Sequence, residues 1–313
     1  MRSMASWTSM VALVLLAGFG GTAMAQEHFN QGPKVCEECH EAEVKVWESS
    51  KHGKSYKTFH KDEKAKELAL AIGDDKSAKT NSVCIACHYT LVTKKAGKKP
   101  RARASTSCES CHGASSKWLD IHNDFGEYKA ETEPAAHKTE RLANARKAGM
   151  IYSKMHFEIA ENCMSCHGLA NSDVDAIDLA KLLANDHPVA KDYELVKYAL
   201  GSVRHRFYGP DVSINKPMDK VEAARFFVTG QAAKLVSATT AAARSDDAAY
   251  KALQQGRAAE AKKALSAVKS VSEAAALVSN PTRAAAKKLV TAIAGKDLTG
   301  EVGSMLPAAS EYK

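Results

Sequence analysis

All eight cysteines of this chain belong to four copies of one pattern, Cys-x-x-Cys-His. In c-type haem attachment the two thiols of this pattern add to the haem vinyl groups, and the histidine binds the iron as proximal ligand. Zinc or disulfide sites would not need a histidine directly after every second cysteine. The pattern therefore predicts four covalently bound haem c groups in a tetrahaem cytochrome c. The attachment cysteines are Cys36, Cys39, Cys84, Cys87, Cys108, Cys111, Cys163 and Cys166, and the proximal histidines are His40, His88, His112 and His167.

The remaining histidines are the candidates for the second axial position of each iron. An iron with two protein ligands suits electron transfer, whereas an open sixth position lets a small molecule bind. An isolated histidine is more often a surface or core residue than a ligand. Several of these side chains are nevertheless expected to be ligands, because four irons need them. They are His28, His52, His60, His122, His137, His156, His187 and His205.

Residues 1–25 have the features of a secretory signal peptide. Arg2 supplies a positive charge, Val11 to Phe19 form a short apolar segment, and Ala23-Met24-Ala25 resembles a cleavage site. The apolar segment is too short to span a bilayer as a helix. Haem is attached to such motifs outside the bacterial cytoplasm, so the sequence predicts a periplasmic protein, with the outer surface as the alternative.

Composition divides the rest of the chain into two predicted domains. Residues 26–230 hold all the cysteines and histidines and form the predicted tetrahaem cytochrome c domain. Residues 231–313 are rich in Ala, Lys and Arg, a composition that favours helix. The predicted fold class is mainly α: a helix- and loop-rich multihaem cytochrome c with a haem-packed core, plus a C-terminal all-helical extension.

Capping residues predict the individual helices of this extension. Asp246 and Asp247 are expected to cap a helix that ends before a turn at Gly256, and residues 257–269 form a second helix. Asn280-Pro281 is expected to begin a third. The extension is then a helical hairpin or small bundle that packs as a cover on the haem core.

The region between the motifs contains fewer regular elements. Residues 62–70 and 192–200 are predicted helices. Lys94 to Arg103 is a predicted basic loop, and no strand pattern is found. The haem groups themselves are expected to supply much of the apolar core in this region.

The charge of the chain excludes one class of partner. The formal net charge is +8 at pH 7, a balance that by itself would suggest nucleic acid or an anionic surface. Each haem adds two propionates, which offset most of this excess of Lys and Arg. Nucleic acid is therefore not expected as a partner.

The sequence around the first motif resembles the cytochrome c-554 family, the tetrahaem cytochromes that include the electron acceptor of hydroxylamine oxidoreductase. Residues 36–56 read CEECHEAEVKVWESSKHGKSY, residues 107–113 read SCESCHG, and His156-Phe157-Glu158 precedes the fourth motif. The resemblance extends in motif order over nearly all of residues 33–207. It leaves the helical extension uncovered.

The resemblance implies distal ligands for three of the irons. It pairs His52 with His112 at the third haem and His122 with His40 at the first, which makes these haems near neighbours. At the fourth haem it implies His205 opposite His167, with His187 as the competitor.

The resemblance also raises the question of the second haem, which is held by His88. In the ammonia-oxidiser protein this iron has no protein sixth ligand, and its vacant face lies beside a Thr-Pro-Phe stretch. This chain lacks that stretch between Gly168 and Pro188. His28, near the predicted mature N-terminus, could instead serve a neighbouring subunit's haem. Candidates to close the second site within the chain are His60, His137, His156, His187, Met155 and Met218.

Three functions follow from these alternatives. The favoured one is an electron carrier in which closely stacked, mostly bis-histidine haems link redox protein partners. The second is an enzyme that reduces nitric oxide, nitrite or hydroxylamine at a five-coordinate second haem, and the third is a subunit of a homo-oligomeric cytochrome filament. A membrane-bound quinol-linked or nitrogen-compound oxidoreductase is an expected partner class.

Overall fold

A computed structural model describes residues 28–73, 77–190, 192–209 and 211–313 of the chain. The predicted signal peptide at residues 1–25 lies outside the described residues. The described chain is mainly helical with one small sheet, which confirms the predicted fold class. Among the described helices, none combines the length and the apolar character that crossing a membrane requires.

The first 219 residues of the chain contribute eleven short α-helices within the described ranges. Brief 3₁₀ turns, at Phe59–Lys61 and Ser115–Lys117, connect some of them. The helices are α1 (Lys34–Glu37), α2 (Glu41–Ser49), α3 (Lys51–Thr58), α4 (Glu63–Ile72), α5 (Ser82–His88), α6 (Cys108–His112), α7 (Leu119–His122), α8 (Ala135–Lys147), α9 (His156–His167), α10 (Ala176–Ala184) and α11 (Leu195–Ala199).

Two of these helices test predictions made from the sequence. The helix predicted at residues 62–70 is confirmed as α4, and the side chain of Asp62 caps it by accepting from Ala65 N at 3.0 Å. The helix predicted at 192–200 is shorter. Glu194 accepts from the backbone amides of Val196 and Lys197 and so begins α11 at Leu195.

An antiparallel hairpin corrects the expectation that the chain has no strand. Strands β1 (Tyr89–Val92) and β2 (Arg101–Ser105) lie between the second and third motifs, so the predicted basic loop is only the connection between them plus part of β2. Thr90 is buried and its Oγ1 donates to Ser105 O at 2.7 Å. The β-forming residues after His88 are too few to give a recognisable alternation of apolar and polar residues, so the sequence does not predict the strand.

The C-terminal region forms five helices, which confirms its predicted helical character. The turn that the sequence predicts at Gly256 is not observed. The chain continues through this residue as one helix. Thr282, rather than Asn280, caps the later helix by accepting from Ala285 N. The helices are α12 (Lys220–Ala243), α13 (Ala248–Leu265), α14 (Ser272–Ser279), α15 (Arg283–Ala292) and α16 (Thr299–Val302), followed by 3₁₀ turns at Gly303–Met305 and Ala309–Glu311.

Helix α12 is the central element of this region and is buried on nearly all sides. It packs against α9, which carries the fourth motif, and against α11, α13, α15 and α16. Residue 230, the predicted domain boundary, therefore lies inside one continuous helix, and the two-domain division stays a prediction. A second apolar cluster joins α4, α5, β1 and α10 around the second motif.

Candidate haem sites

Short helices present the motif side chains. The second, third and fourth motifs form the ends of α5, α6 and α9, whereas the first begins in α1 and ends at the start of α2. On a helix, residues three and four apart share one face, so both cysteines and the histidine point to the same side. Asn81 fixes the start of α5 by accepting from the amides of Val83 and Cys84.

Each motif histidine faces one histidine from outside the motifs. Two imidazoles that bind one metal from opposite sides, each at about 2 Å from nitrogen to metal, have ring centroids about 6 Å apart. The observed separations fit this requirement for all four motifs. The centroid distances are 6.4 Å for His40 and His122, 6.2 Å for His88 and His187, 6.2 Å for His112 and His205, and 5.9 Å for His52 and His167.

These placements correct two of the three pairings implied by the resemblance. His122 lies opposite His40 as expected. His52, however, faces His167 instead of His112, and His205 faces His112 instead of His167.

The packing of α6 against α9 explains why His52 and His205 face each other's expected partners. These helices contact each other, and Asn162 Nδ2 donates to Cys111 O at 3.0 Å, so the third and fourth motifs are direct neighbours. The order of motifs along a sequence does not decide which of two neighbouring sites receives which distal histidine. Contacts of α3 with β2, including Tyr56 Oη donating to Ala102 O, fix the orientation of the helix that carries His52.

The second site is formed by His88 and His187. The ring of Phe59 stacks on His88 with 3.9 Å between centroids, and His187 approaches from the segment that follows α10. Burial lowers the pKa of His88 to about 4 and also lowers the pKa of His187. Both imidazoles are therefore neutral at physiological pH, the form that binds a metal.

The other four histidines lie elsewhere in the described structure. His156, a candidate for a distal position, packs edge-on against Phe226 at 5.1 Å between centroids. His137 is hydrogen-bonded to Glu133 at 2.8 Å, and His28 lies against Gly149. His60 is near Lys79, whose charge adds to the effect of desolvation in lowering its pKa. None of them is paired with a motif histidine among the described aromatic contacts.

Backbone carbonyls orient three of the facing histidines. The Nδ1 atoms of His112, His122 and His205 lie 2.7, 2.5 and 2.6 Å from the carbonyl oxygens of Ile151, Leu119 and Val203. An N–H donated from Nδ1 leaves Nε2 as the free ligand atom and holds the ring in place, an arrangement typical of metal-binding histidines. The donor set is therefore suited to iron in both identity and orientation.

The attachment cysteines of different motifs lie close together. The Cys108 thiol raises the pKa of Cys36, and the Cys87 thiol lowers the pKa of Cys166 to about 7. Burial, together with the nearby Cys163, raises the pKa of Cys111. These sulfur atoms are the predicted attachment points of the haem edges. Their proximity makes the first candidate site a neighbour of the third, the third a neighbour of the fourth, and the fourth a neighbour of the second.

Several residues near the sites were missed by the sequence interpretation. Tyr193 stacks on His167 at 4.4 Å between centroids, and Asn171 Nδ2 donates to Ala86 O and lies 3.7 Å from Cys87 Sγ. Glu109, inside the third motif, is buried. No local pattern marks these residues, since each acts through contacts with distant segments.

Gly53, directly after His52, is expected to be required for the fourth site. A methyl group there would overlap the Trp47 carbonyl oxygen and lie 2.8 Å from Glu48 Cα, so α3 would have to move away from α2. We expect Gly53→Ala to displace His52 and to convert part of one haem to high spin, which electron paramagnetic resonance of the ferric protein would detect. Gly256→Ala is the matched control because its methyl group meets no atom within 4 Å. Equal spectra for both variants would contradict the role of Gly53.

Comparison with known proteins gives one family match. The family model described as cytochrome c554 and c-prime matches residues 35–113, a segment that contains the first three motifs and His52 but less than half of the chain. The match supports a c-type cytochrome with covalently bound haem that takes part in electron transfer. Neither the curated proteins nor the solved structures give a match.

Proposed function

We propose that this protein is an exported tetrahaem c-type cytochrome that carries electrons between redox protein partners. In this proposal all four irons have two histidine ligands: His40 with His122, His88 with His187, His112 with His205, and His167 with His52. The periplasm is the proposed location, since it is where the predicted signal peptide would direct the chain.

The pairing of His88 with His187 is the observation that favours an electron carrier over an enzyme. The enzyme alternative needs an open sixth position at the second site. The ring of His187 lies at the 6.2 Å separation that a shared iron requires, in the same arrangement as the other three pairs. A neutral imidazole bound in that position would exclude nitric oxide, nitrite or hydroxylamine from the iron.

The neighbouring cysteines support a continuous path through the molecule. When bound, each haem supplies one-electron chemistry by alternating between its ferric and ferrous states. In this proposal the attachment points follow the order first, third, fourth, second, which the proximity of Cys36 to Cys108, of Cys111 to Cys163 and of Cys166 to Cys87 supports. The first and second sites are then the two ends at which partners would give and take electrons.

The partners are proposed to be redox proteins, among which a membrane-bound quinol-linked or nitrogen-compound oxidoreductase is one class. The hairpin connection supports a partner with an acidic surface. It exposes Lys94, Lys95, Lys98 and Lys99, continues into exposed Arg101 and Arg103, and contains no acidic residue. A homo-oligomer remains the alternative assembly.

Spectroscopy of the purified protein tests the proposal directly. The pyridine haemochrome assay should give four haems per chain, the ferric protein should show only low-spin signals, and the ferrous protein should not bind carbon monoxide. A carbon monoxide shift in one quarter of the haem would overturn the carrier proposal in favour of the enzyme. Fewer than four haems would contradict the proposed cofactor content.

A further inference from the structure

A buried carboxylate lies within the third motif. Glu109 is 4 % exposed, and its oxygens accept hydrogen bonds from the backbone amides of Gln31, Gly32 and Ser115 at 2.8, 2.7 and 2.9 Å. Backbone donors of this kind stabilise the ionised carboxylate. Among the described residues no cation pairs with it, so the third site carries a buried negative charge.

A guanidinium with the opposite charge lies against the fourth motif. Arg257, on α13, contacts Met164 Sδ at 3.7 Å, and its Nη1 donates to Gln254 Oε1 at 2.6 Å. Tyr250 and Gln254, on the same face of α13, donate to the carbonyl oxygens of Leu169 and Gly168 directly after the motif. The extension therefore holds Arg257 against the helix of the fourth site.

The charge of Arg257 is not cancelled by an acidic partner. Glu260, the nearest acidic residue on α13, forms its ion pair with Lys234 at 2.6 Å, and Arg257 forms no salt bridge within the described part of the chain. Burial lowers the pKa of Arg257 only to about 10, so the guanidinium remains charged at neutral pH. The fourth site thus carries a half-buried positive charge, next to the third site with its buried negative charge.

We propose that Glu109 and Arg257 hold the reduction potentials of the third and fourth haems apart, so that an electron shared by this neighbouring pair resides on the fourth. The inference rests on the proposed four-haem carrier and adds a direction to its path. One electron moves from the third site to the fourth, and no bond forms or breaks. A negative charge stabilises the oxidised iron and a positive charge stabilises the reduced iron. Solvent screens these charges only in part, because Glu109 is buried and Arg257 is half-buried.

The chain offers matched controls for both charges. Glu37 occupies in the first motif the position that Glu109 occupies in the third, but it is exposed to solvent. Arg283 contacts the same helix α9 as Arg257, but it is exposed and paired with Glu161 at 2.7 Å. Neutralising either control should leave the potentials nearly unchanged, since exposed charges are screened.

Spectroelectrochemical titration of the intact four-haem protein tests the inference. We expect Glu109→Gln to raise one midpoint potential and Arg257→Gln to lower a different one. Each shift should be about tenfold in the one-electron equilibrium constant, which is about 59 mV. Arg257→Lys keeps the positive charge but removes the planar guanidinium. Its midpoint potential should stay near the wild-type value, which separates an electrostatic effect from a packing effect.

Two outcomes would overturn the inference while the carrier proposal stands. One is that neither glutamine variant shifts a midpoint more than Glu37→Gln and Arg283→Gln, although all four haems remain low spin. The other is that Arg257→Lys shifts the potential as far as Arg257→Gln. If Arg257→Gln does not fold, Glu109→Gln alone still tests the negative charge. A missing haem or a high-spin haem in the wild type would instead contradict the proposed function.

Discussion

Replacing His187 with alanine is expected to turn one quarter of the haem into a high-spin, ligand-binding form. His187 is the only non-motif histidine whose ring faces His88 among the described residues, so its loss would leave the second iron with one protein ligand. The ferric spectrum should gain a high-spin component, and the ferrous protein should bind about one carbon monoxide per four haems. Absorbance and electron paramagnetic resonance spectra would measure both effects.

His156→Ala is the control for this experiment. His156 is another of the sequence-based candidates for closing the second site, but its ring packs against Phe226. Its removal should leave all four haems low spin. If His156→Ala opened a site and His187→Ala did not, the assignment of the second site would be wrong.

The Leu235→Ala substitution in the C-terminal region is expected to lower the stability of the protein strongly. Leu235 is fully buried in α12, within the apolar cluster that joins the extension to the helix of the fourth motif. Truncation to alanine leaves a cavity and should lower the free energy of unfolding by about 2–5 kcal/mol. Urea unfolding of the oxidised four-haem protein, followed by far-ultraviolet circular dichroism, measures the change.

Leu70→Ala serves as the matched control, because this leucine on α4 is 53 % exposed. Its truncation should change the free energy of unfolding by less than about 0.5 kcal/mol. If the extension were a separate domain, Leu235→Ala would unfold it without affecting the haem spectrum. We expect instead that the fourth site loses its low-spin signal in the same transition, since α12 and α9 share one core.

The sequence alone predicts one proximal histidine in each motif, which stays a prediction, and it located α4, α11 and the helical character of the C-terminal region. Covalent chemistry fixes the Cys-x-x-Cys-His pattern, and the Ala-rich composition of residues 231–313 favours helix whatever the tertiary contacts are. Distal ligands are harder to predict than proximal ones, because their roles depend on which segments of the chain meet in space. His52 and His205, which the resemblance implies as distal ligands, each face a motif histidine, but not the one that was expected, since the third and fourth motifs are neighbours.

Local sequence rules for secondary structure also gave wrong predictions where tertiary packing outweighed them. Gly256 usually weakens a helix, but it lies on an exposed face of α13, where a missing side chain costs about 1 kcal/mol and the rest of the helix is held by packing. The hairpin after His88 was missed because its pairing partner lies beyond an exposed basic connection. The charges of the buried Glu109 and the half-buried Arg257 cannot be distinguished in a sequence from the many solvated ones.

The four facing pairs also determine how difficult the chain is to assemble. Each pair joins residues roughly 80 to 115 positions apart, so in the proposed four-haem protein every coordination bond would close a long loop, at a cost in chain entropy. The loops interlace, because each one begins before the previous one has closed. While that polypeptide is still unfolded, its twelve imidazoles would compete for the axial positions of the four proposed irons, and an early but incorrect coordination would be a kinetic trap. The rate of maturation would then depend on how quickly wrong ligands dissociate, and mild acid, which protonates loosely bound imidazoles, would speed refolding.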